Sequence, residues 1–338
     1  MPLSKNALGL AEKPRGVVKP RRRPIVILAR NGEQFVDRLI ARFPDDAFLL
    51  CKSYQELPRV LDEAQPEIVF AFTAGKPFPR DALLRCASIR WLALGSAGVE
   101  HMVPWDDDRL VVTNCAGVAD EEMAQYAVAS IFGLFQQFPR YAKLQSHRVW
   151  APTPVRSAKG ATIGVVGLGK TGLAVARSCR ALGLRVYACR STATPSPDVD
   201  RVFASSELHA MLGMVDATVI CAALTPSTRN MFDAVAFASM RKGSYLVNIS
   251  RGAVVVEEAL IDALRSEQLG GAVIDVARQE PLGEANPLWD APNLLITPHV
   301  SSIYEGWEEN AADMFADNLE RWLHDAPLES RVFSSRGY

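Results

Sequence analysis

Between positions 162 and 189 a strand-sized apolar run, a glycine-rich turn, a helical pattern and a second strand-sized run follow one another. The turn reads Gly167-Leu168-Gly169-Lys170-Thr171-Gly172, with glycine at its first, third and sixth places. Gly167 suits a tight turn, Gly169 lets the backbone approach a ligand, and Gly172 allows close helix–strand packing. The helix starting there offers free N–H groups and a positive dipole end to an anion. Three glycines alone specify little. In this strand–turn–helix–strand setting they predict a dinucleotide-binding loop. The end of the next strand, 185–189, is where an acid would hold a ribose 2′-hydroxyl. The sequence has Arg190 there, followed by Ser191 and Thr192. An arginine with two adjacent hydroxyls fits a 2′-phosphate through charge-assisted bonds, which favours NADP(H) over NAD(H). Read as a solvated strand end, Arg190 leaves NAD(H) open.

The same alternation runs through most of the chain. Strand-like runs fall at 25–28, 47–51, 67–72, 90–94 and 110–113, with helical stripes at 33–43, 56–63 and 80–87. A long helical pattern at 120–150 follows, broken near Pro139, with Asp120 placed to cap its start. Further strands read at 162–166, 185–189, 217–221, 245–249, 271–275 and 293–297. This predicts an α/β chain whose parallel sheets are covered by helices on both faces. At about 150 residues per domain, 338 residues make two. A last amphipathic pattern at 304–324 comes too late for the second sheet. Its return to the first unit would make that unit discontinuous.

Composition narrows the partners. Lys plus Arg number 37 and Asp plus Glu 38, so charge gives no reason to expect nucleic acid or an anionic membrane. No run of 18 apolar residues suggests a membrane span. The six cysteines form no Cys-x-x-Cys pair and no zinc-ligand spacing with histidine. No metal is therefore expected, and a reducing, cytoplasmic setting is. Residues 1–23 carry seven basic side chains and one acid, Glu12. They read as a flexible basic tail, with a targeting peptide or a nucleic-acid arm as the other readings.

Three later segments put polar residues just past apolar strands, at 248–252, 275–282 and 297–302. A doubly wound sheet gathers its ligands at such ends. Together they supply a cation (Arg251), an acid (Glu280) and an imidazole (His299) on one rim. With these in place the chain resembles the D-isomer-specific 2-hydroxyacid dehydrogenase family, over nearly its whole length from Pro24. The marks are Gly95-Ser96-Ala97-Gly98-Val99-Glu100-His101, the glycine loop and Leu224-Thr225-Pro226-Ser227-Thr228-Arg229. Asn248-Ile249-Ser250-Arg251-Gly252, Asp275-Val276-Ala277-Arg278-Gln279-Glu280-Pro281 and Thr297-Pro298-His299 complete them.

The resemblance implies a Rossmann cofactor domain (119–299) inserted in a flavodoxin-like substrate domain (24–118 and 300–338). It implies that Arg251 binds substrate, that His299 exchanges the proton, and that Glu280 pairs with His299. Asp275 is implied to hold the nicotinamide carboxamide, and Lys170, Thr171 and Thr228 to contact the cofactor. Ala222, Ile249, Ser250 and Ser301, at the same strand ends, complete the expected cofactor contacts. Backbone N–H groups around Ala97 and Gly98 are implied to receive the substrate carboxylate. The implied reaction is NAD(P)H-dependent reduction of a small 2-keto acid, glyoxylate- or hydroxypyruvate-like, to the D-2-hydroxy acid. The implied assembly is a homodimer through the cofactor domains. The residue types agree independently. An arginine fork can hold a carboxylate and polarise a carbonyl, and an imidazolium can give the nascent alkoxide its proton. Specificity in the family comes from first-domain loops such as 74–79 and 99–105 and from the partner subunit. Here the loops look apolar and mixed, which suggests a small or modestly apolar substrate rather than a polyanionic one. A dinucleotide-sensing, corepressor-like binding protein of the same family and an enzyme of this cofactor fold acting on an amino acid remain as alternatives.

Overall fold

A computed structural model describes residues 24–30, 32–72 and 77–335. The expected basic tail at 1–23 and positions 74–76 of the first specificity loop lie outside the described residues. The chain opens with β1 (Ile25–Leu28), α1 (Glu33–Arg42), β2 (Phe48–Cys51), α2 (Leu57–Ala64), β3 (Ile68–Ala71), α3 (Arg80–Arg85), β4 (Trp91–Leu94) and β5 (Val111–Thr113). Two helices follow, α4 (Asp120–Phe135) and α5 (Phe138–Ser146). Next come β6 (Thr162–Val166), α6 (Lys170–Ala181), β7 (Arg185–Arg190), β8 (Arg201–Ala204), α7 (Leu208–Leu212) and β9 (Ala217–Ile220). The run continues with α8 (Ala234–Ser239), β10 (Ser244–Asn248), α9 (Glu257–Arg265), β11 (Leu269–Ile274) and β12 (Leu294–Ile296). Helix α10 (Trp307–Leu323) and β13 (Arg331–Val332) close the described chain.

These strands form two sheets. The first runs β2-β1-β3-β4-β5, all parallel, with β13 antiparallel against the outer edge of β5. The second runs β8-β7-β6-β9-β10-β11-β12, parallel throughout. The first has the flavodoxin order, and the second the Rossmann order with one strand added. Helices cover both faces of each, so the inner strands β1, β3, β4, β6, β9 and β10 are buried at every residue. That double burial is why they read as unbroken apolar runs.

The last helix packs on the first sheet. Phe315 of α10 stacks on Phe70 at 4.6 Å and on Trp91 at 5.3 Å. Full burial of such a side chain contributes about 1.5–3 kcal/mol. The exposed ion pairs Arg38–Asp313 (2.9 Å) and Arg42–Asp317 (2.7 Å) join α1 to α10 and add at most about 1 kcal/mol each. Helix α4 belongs to the other side. Its Ala124, Ala127 and Ile131 share one core cluster with Val165 of β6 and Ala174 of α6.

Two local expectations need correction, and the expected break near Pro139 is present. Ala119, not Asp120, occupies the N-cap of α4; Asp120 instead accepts a hydrogen bond from Thr171 Oγ1 at 2.6 Å. The helix break falls at Gln137, which is left-handed at φ 57°, and Pro139 sits in the first turn of α5. Proline is tolerated there because its missing N–H would have had no helical partner. The first sheet is not wholly parallel, since β13 runs against it. None of the described helices is long and apolar enough to cross a membrane.

Candidate active site

Six strand ends carry the site. Past β4, the turn at 95–98 is pressed onto the chain after β3, where a Cβ on Gly95 would lie 2.7 Å from the Phe72 carbonyl oxygen. Ser96 Oγ donates to the Gly98 carbonyl at 2.8 Å, and Asn114 Nδ2 donates to the Ala97 carbonyl at 2.6 Å. The turn is thereby fixed while Ala97 stays exposed.

Past β10, the buried Asn248 organises the next turn. Its Oδ1 accepts from the Ser250 N–H (3.1 Å) and hydroxyl (2.9 Å), and its Nδ2 donates to the Arg251 carbonyl at 3.3 Å. A Cβ on Gly252 would lie 1.9 Å from the Ala277 carbonyl carbon, so this turn lies directly on the turn past β11. Arg251 projects from it. Its Nη1 donates to the Ser250 carbonyl at 2.8 Å and its Nε to Glu100 Oε1 at 2.6 Å. A Cβ on Gly98 would sit 1.8 Å from Arg251 Nη2. The C-terminal edges of the two sheets therefore face each other at Gly98 and Arg251.

Past β11, the buried Asp275 grips the loop that follows β12. Its carboxylate accepts from Thr297 Oγ1 (2.5 Å), the Val300 N–H (2.9 Å) and the Ser301 N–H (2.8 Å). Its carbonyl accepts from the His299 N–H at 2.7 Å. Tyr126 of α4 meets Thr297 Oγ1 at 2.5 Å and extends the network. His299 is held at φ 58°, a left-handed backbone that non-glycine residues seldom adopt. Glu280 Oε1 accepts from the Ala277 N–H at 3.1 Å, and Oε2 lies 2.9 Å from His299 Nδ1. Pairing Nδ1 with a carboxylate assigns a proton to that nitrogen and turns Nε2 outward.

The glycine loop lies where the second sheet reverses strand order, between β6 and β9. Gly167 has φ 95°, and a Cβ there would be 2.6 Å from the backbone of Ala222. A Cβ on Gly172 would be 2.0 Å from the Gly167 carbonyl oxygen. Gly169, the N-cap of α6, faces open space within 4 Å of where a Cβ would stand. A crevice with a bare helix N-terminus at the switch point fits a dinucleotide pyrophosphate. Leu168, Ala222, Ile249, Ser250 and Ser301 are buried around this edge. Arg190 ends β7, and its guanidinium has no hydrogen-bond or ion-pair partner among the described residues; Ser191 and Thr192 beside it are exposed.

The other expected cofactor side chains have protein partners. Lys170 Nζ donates to the Ala116 carbonyl (2.9 Å) and Ser330 Oγ (3.1 Å). Thr171 is bonded to Asp120, and Thr228 Oγ1 donates to the Ala223 carbonyl at 2.6 Å. Arg251, Glu280, His299 and the Ala97–Gly98 turn are brought to one edge, with Arg190 at the far end of the same sheet's rim. Sequence reasoning missed the partner of Arg251. Glu100 lay inside a quoted motif, but the loop 99–105 read as apolar and mixed. Burial pushes the Glu100 carboxyl up, yet the adjacent Arg251 guanidinium and its hydrogen bonds outweigh this and hold it below the usual carboxylate range.

Residues 128–301 match the model of the D-isomer specific 2-hydroxyacid dehydrogenase, NAD binding domain. The chain belongs to the D-isomer specific 2-hydroxyacid dehydrogenase family. It is 30% identical over 217 residues to glyoxylate/hydroxypyruvate reductase A of Salmonella newport, covering 64% of this chain and 69% of that protein. A crystal structure of a family protein from Aeromonas salmonicida superposes with TM-score 0.80 at 28% identity, covering 92% of this chain and 99% of that one. A family dehydrogenase from Xanthobacter autotrophicus, in complex with NADPH and MES, has TM-score 0.80 at 26% identity, covering 94% and 99%. As a member of the 2-hydroxyacid dehydrogenases, this chain is an NAD(P)-dependent oxidoreductase of small 2-hydroxy or 2-keto acids.

Proposed function

We propose that the chain reduces a small 2-keto acid of the glyoxylate or hydroxypyruvate class to its D-2-hydroxy acid, with NADP(H) favoured over NAD(H). The observation that carries this reading is the 2.9 Å Glu280–His299 pair, past β11 and β12, on the same sheet edge as Arg251 past β10. The substrate domain comprises 24–118 and 300–338, and the cofactor domain 119–299. Backbone N–H groups at Ala97 and Gly98 receive the substrate carboxylate, and the Nη groups of Arg251 hold the substrate and polarise its carbonyl. A bound nicotinamide supplies the hydride. His299 Nε2–H gives a proton to the alkoxide oxygen, and Glu280 keeps the imidazole oriented through Nδ1. In the reverse direction neutral His299 takes the hydroxyl proton. Arg190, with Ser191 and Thr192, holds a 2′-phosphate. Asp275, which fixes the His299 loop, would hold the nicotinamide carboxamide, and the glycine loop with Ala222, Thr228, Ile249, Ser250 and Ser301 would line the cofactor. Two such chains pair through their cofactor domains.

The test is oxidation of NADPH and NADH with glyoxylate, hydroxypyruvate, pyruvate and phenylpyruvate. NADPH-dependent turnover, highest with the small acids, is expected. Arg251→Lys and His299→Asn should each cost roughly 10²–10⁴-fold in kcat/KM. Arg190→Asp should move the preference toward NADH. Turnover with NADH alone overturns the cofactor assignment, and no turnover with any of these acids overturns the reaction.

A further inference from the structure

Arg251 does not meet its substrate alone, because a carboxylate of the protein already sits on it. Glu100 Oε1 accepts from Arg251 Nε at 2.6 Å, across 151 positions of sequence, and joins the first sheet's turn to the second sheet's rim. Both side chains are partly buried, with 28% of Arg251 and 38% of Glu100 exposed. Glu100 Oε2 and Arg251 Nη2 crowd the same spot, 2.5 Å and 1.8 Å from where a Cβ on Gly98 would stand. An arginine has five N–H donors. Glu100 takes the one on Nε and the Ser250 carbonyl one on Nη1. The rest remain for the substrate, and the Nη2 pair faces the Gly98 backbone.

We propose that Glu100 is a specificity-determining residue of this site. It anchors the guanidinium through Nε and keeps a fixed negative charge beside the place where the substrate carboxylate binds. The site then admits monoanionic 2-keto acids and discriminates against acids with a second negative group close to the first. This rests on the reading of Arg251 as the substrate-binding arginine. The physical basis is like-charge repulsion in a partly desolvated site, which sets selectivity more than affinity.

The test compares wild type and Glu100→Gln, an isosteric change that removes the charge and leaves an acceptor for Nε. Oxalate and oxamate are the probes, near-isosteric but dianionic and monoanionic. Their dissociation constants are measured by calorimetry on the NADPH-loaded protein, and glyoxylate and oxaloacetate are compared as substrates. In Glu100→Gln, binding of oxalate relative to oxamate should tighten about 5- to 10-fold, with a matching fall in the KM for oxaloacetate relative to glyoxylate. Glu100→Ala should show the same shift and also a lower kcat, because Arg251 loses its anchor. An unchanged oxalate-to-oxamate ratio in Glu100→Gln, in a wild type that turns over glyoxylate, overturns the role of Glu100 alone. If wild type reduces no 2-keto acid while the ratio still shifts, the reaction reading falls and the charge discrimination stands.

Discussion

A single contact decides which imidazole nitrogen can work. Glu280 Oε2 takes Nδ1 of His299, so Nε2 is the nitrogen left to face a ligand. Glu280→Gln keeps the shape but puts an amide where an acceptor was, and an amide N–H on Nδ1 selects the wrong tautomer. The variant should bind oxamate with nearly wild-type affinity while kcat falls about 10²–10⁴-fold. Equal kcat values for the two proteins would remove the pair from the mechanism. His101, three positions after the turn glycine Gly98, behaves differently. Its Nε2 is buried without a hydrogen-bond partner among the described residues, and its ring meets Phe78 edge-on at 4.4 Å. Burial lowers its pKa from 6.5, the Arg251 charge adds to this, and Glu100 opposes it. The folded state thus takes up the proton less readily than the unfolded chain. Stability held in full above about pH 6.5 should be lost as pH falls from there through the folded value. In melting curves between pH 5 and 8, His101→Phe should flatten that acid-side loss, and an unaltered slope would exclude His101 as its source. Residue types at strand ends were legible in the sequence because chemistry confined to one rim leaves cations, acids and imidazoles past apolar runs. The Glu100–Arg251 and Tyr126–Thr297 pairs were not, because each joins segments far apart in sequence that only the packing of α4, or of the first sheet's edge, brings together.

At the scale of elements, the strand ends and the loops past them behave as one clasp. Asp275 leaves β11 and holds the loop past β12 by three donors, and that loop carries His299. Asp275→Ala strands those donors in a buried setting, at about 1–3 kcal/mol for each left unpaired. Amide exchange across 297–303 should then speed up, melting should fall by several degrees, and kcat should drop. Unchanged exchange there would show that backbone packing alone holds the loop. The elements themselves were legible in proportion to their burial. Strands β1 and β6 match the apolar runs at 25–28 and 162–166 end to end, because both faces of each are covered. Strands β8 and β13 escaped notice. Each is an edge strand with an exposed arginine at its start, and β13 spans only two residues, so neither leaves an apolar run to read.

At the scale of the molecule, one stretch of the described chain carries several exposed large apolar side chains. Phe138 on α5 is 63% exposed, and the segment after α5 shows Val149 at 50%, Trp150 at 97% and Val155 at 40%. Tyr141 Oη donates to the Thr153 carbonyl at 3.0 Å and ties the segment back onto α5. Concentrated apolar exposure of this kind marks an interaction site on a folded chain. Helix α5 follows α4, and α4 packs on the second sheet, so the patch lies on the side proposed to form the dimer. A patch that pairs with itself about a two-fold axis closes the assembly at two copies, and each copy buries its exposed aromatics against the other. Association that requires the folded patch also raises apparent stability with concentration. The double variant Phe138→Asp with Trp150→Asp should therefore sediment as a monomer at micromolar concentrations where wild type is expected to sediment as a dimer. Its melting temperature should also lose the concentration dependence expected of wild type. A dimeric double variant would place the interface elsewhere. A monomeric wild type would mean that the patch serves another partner.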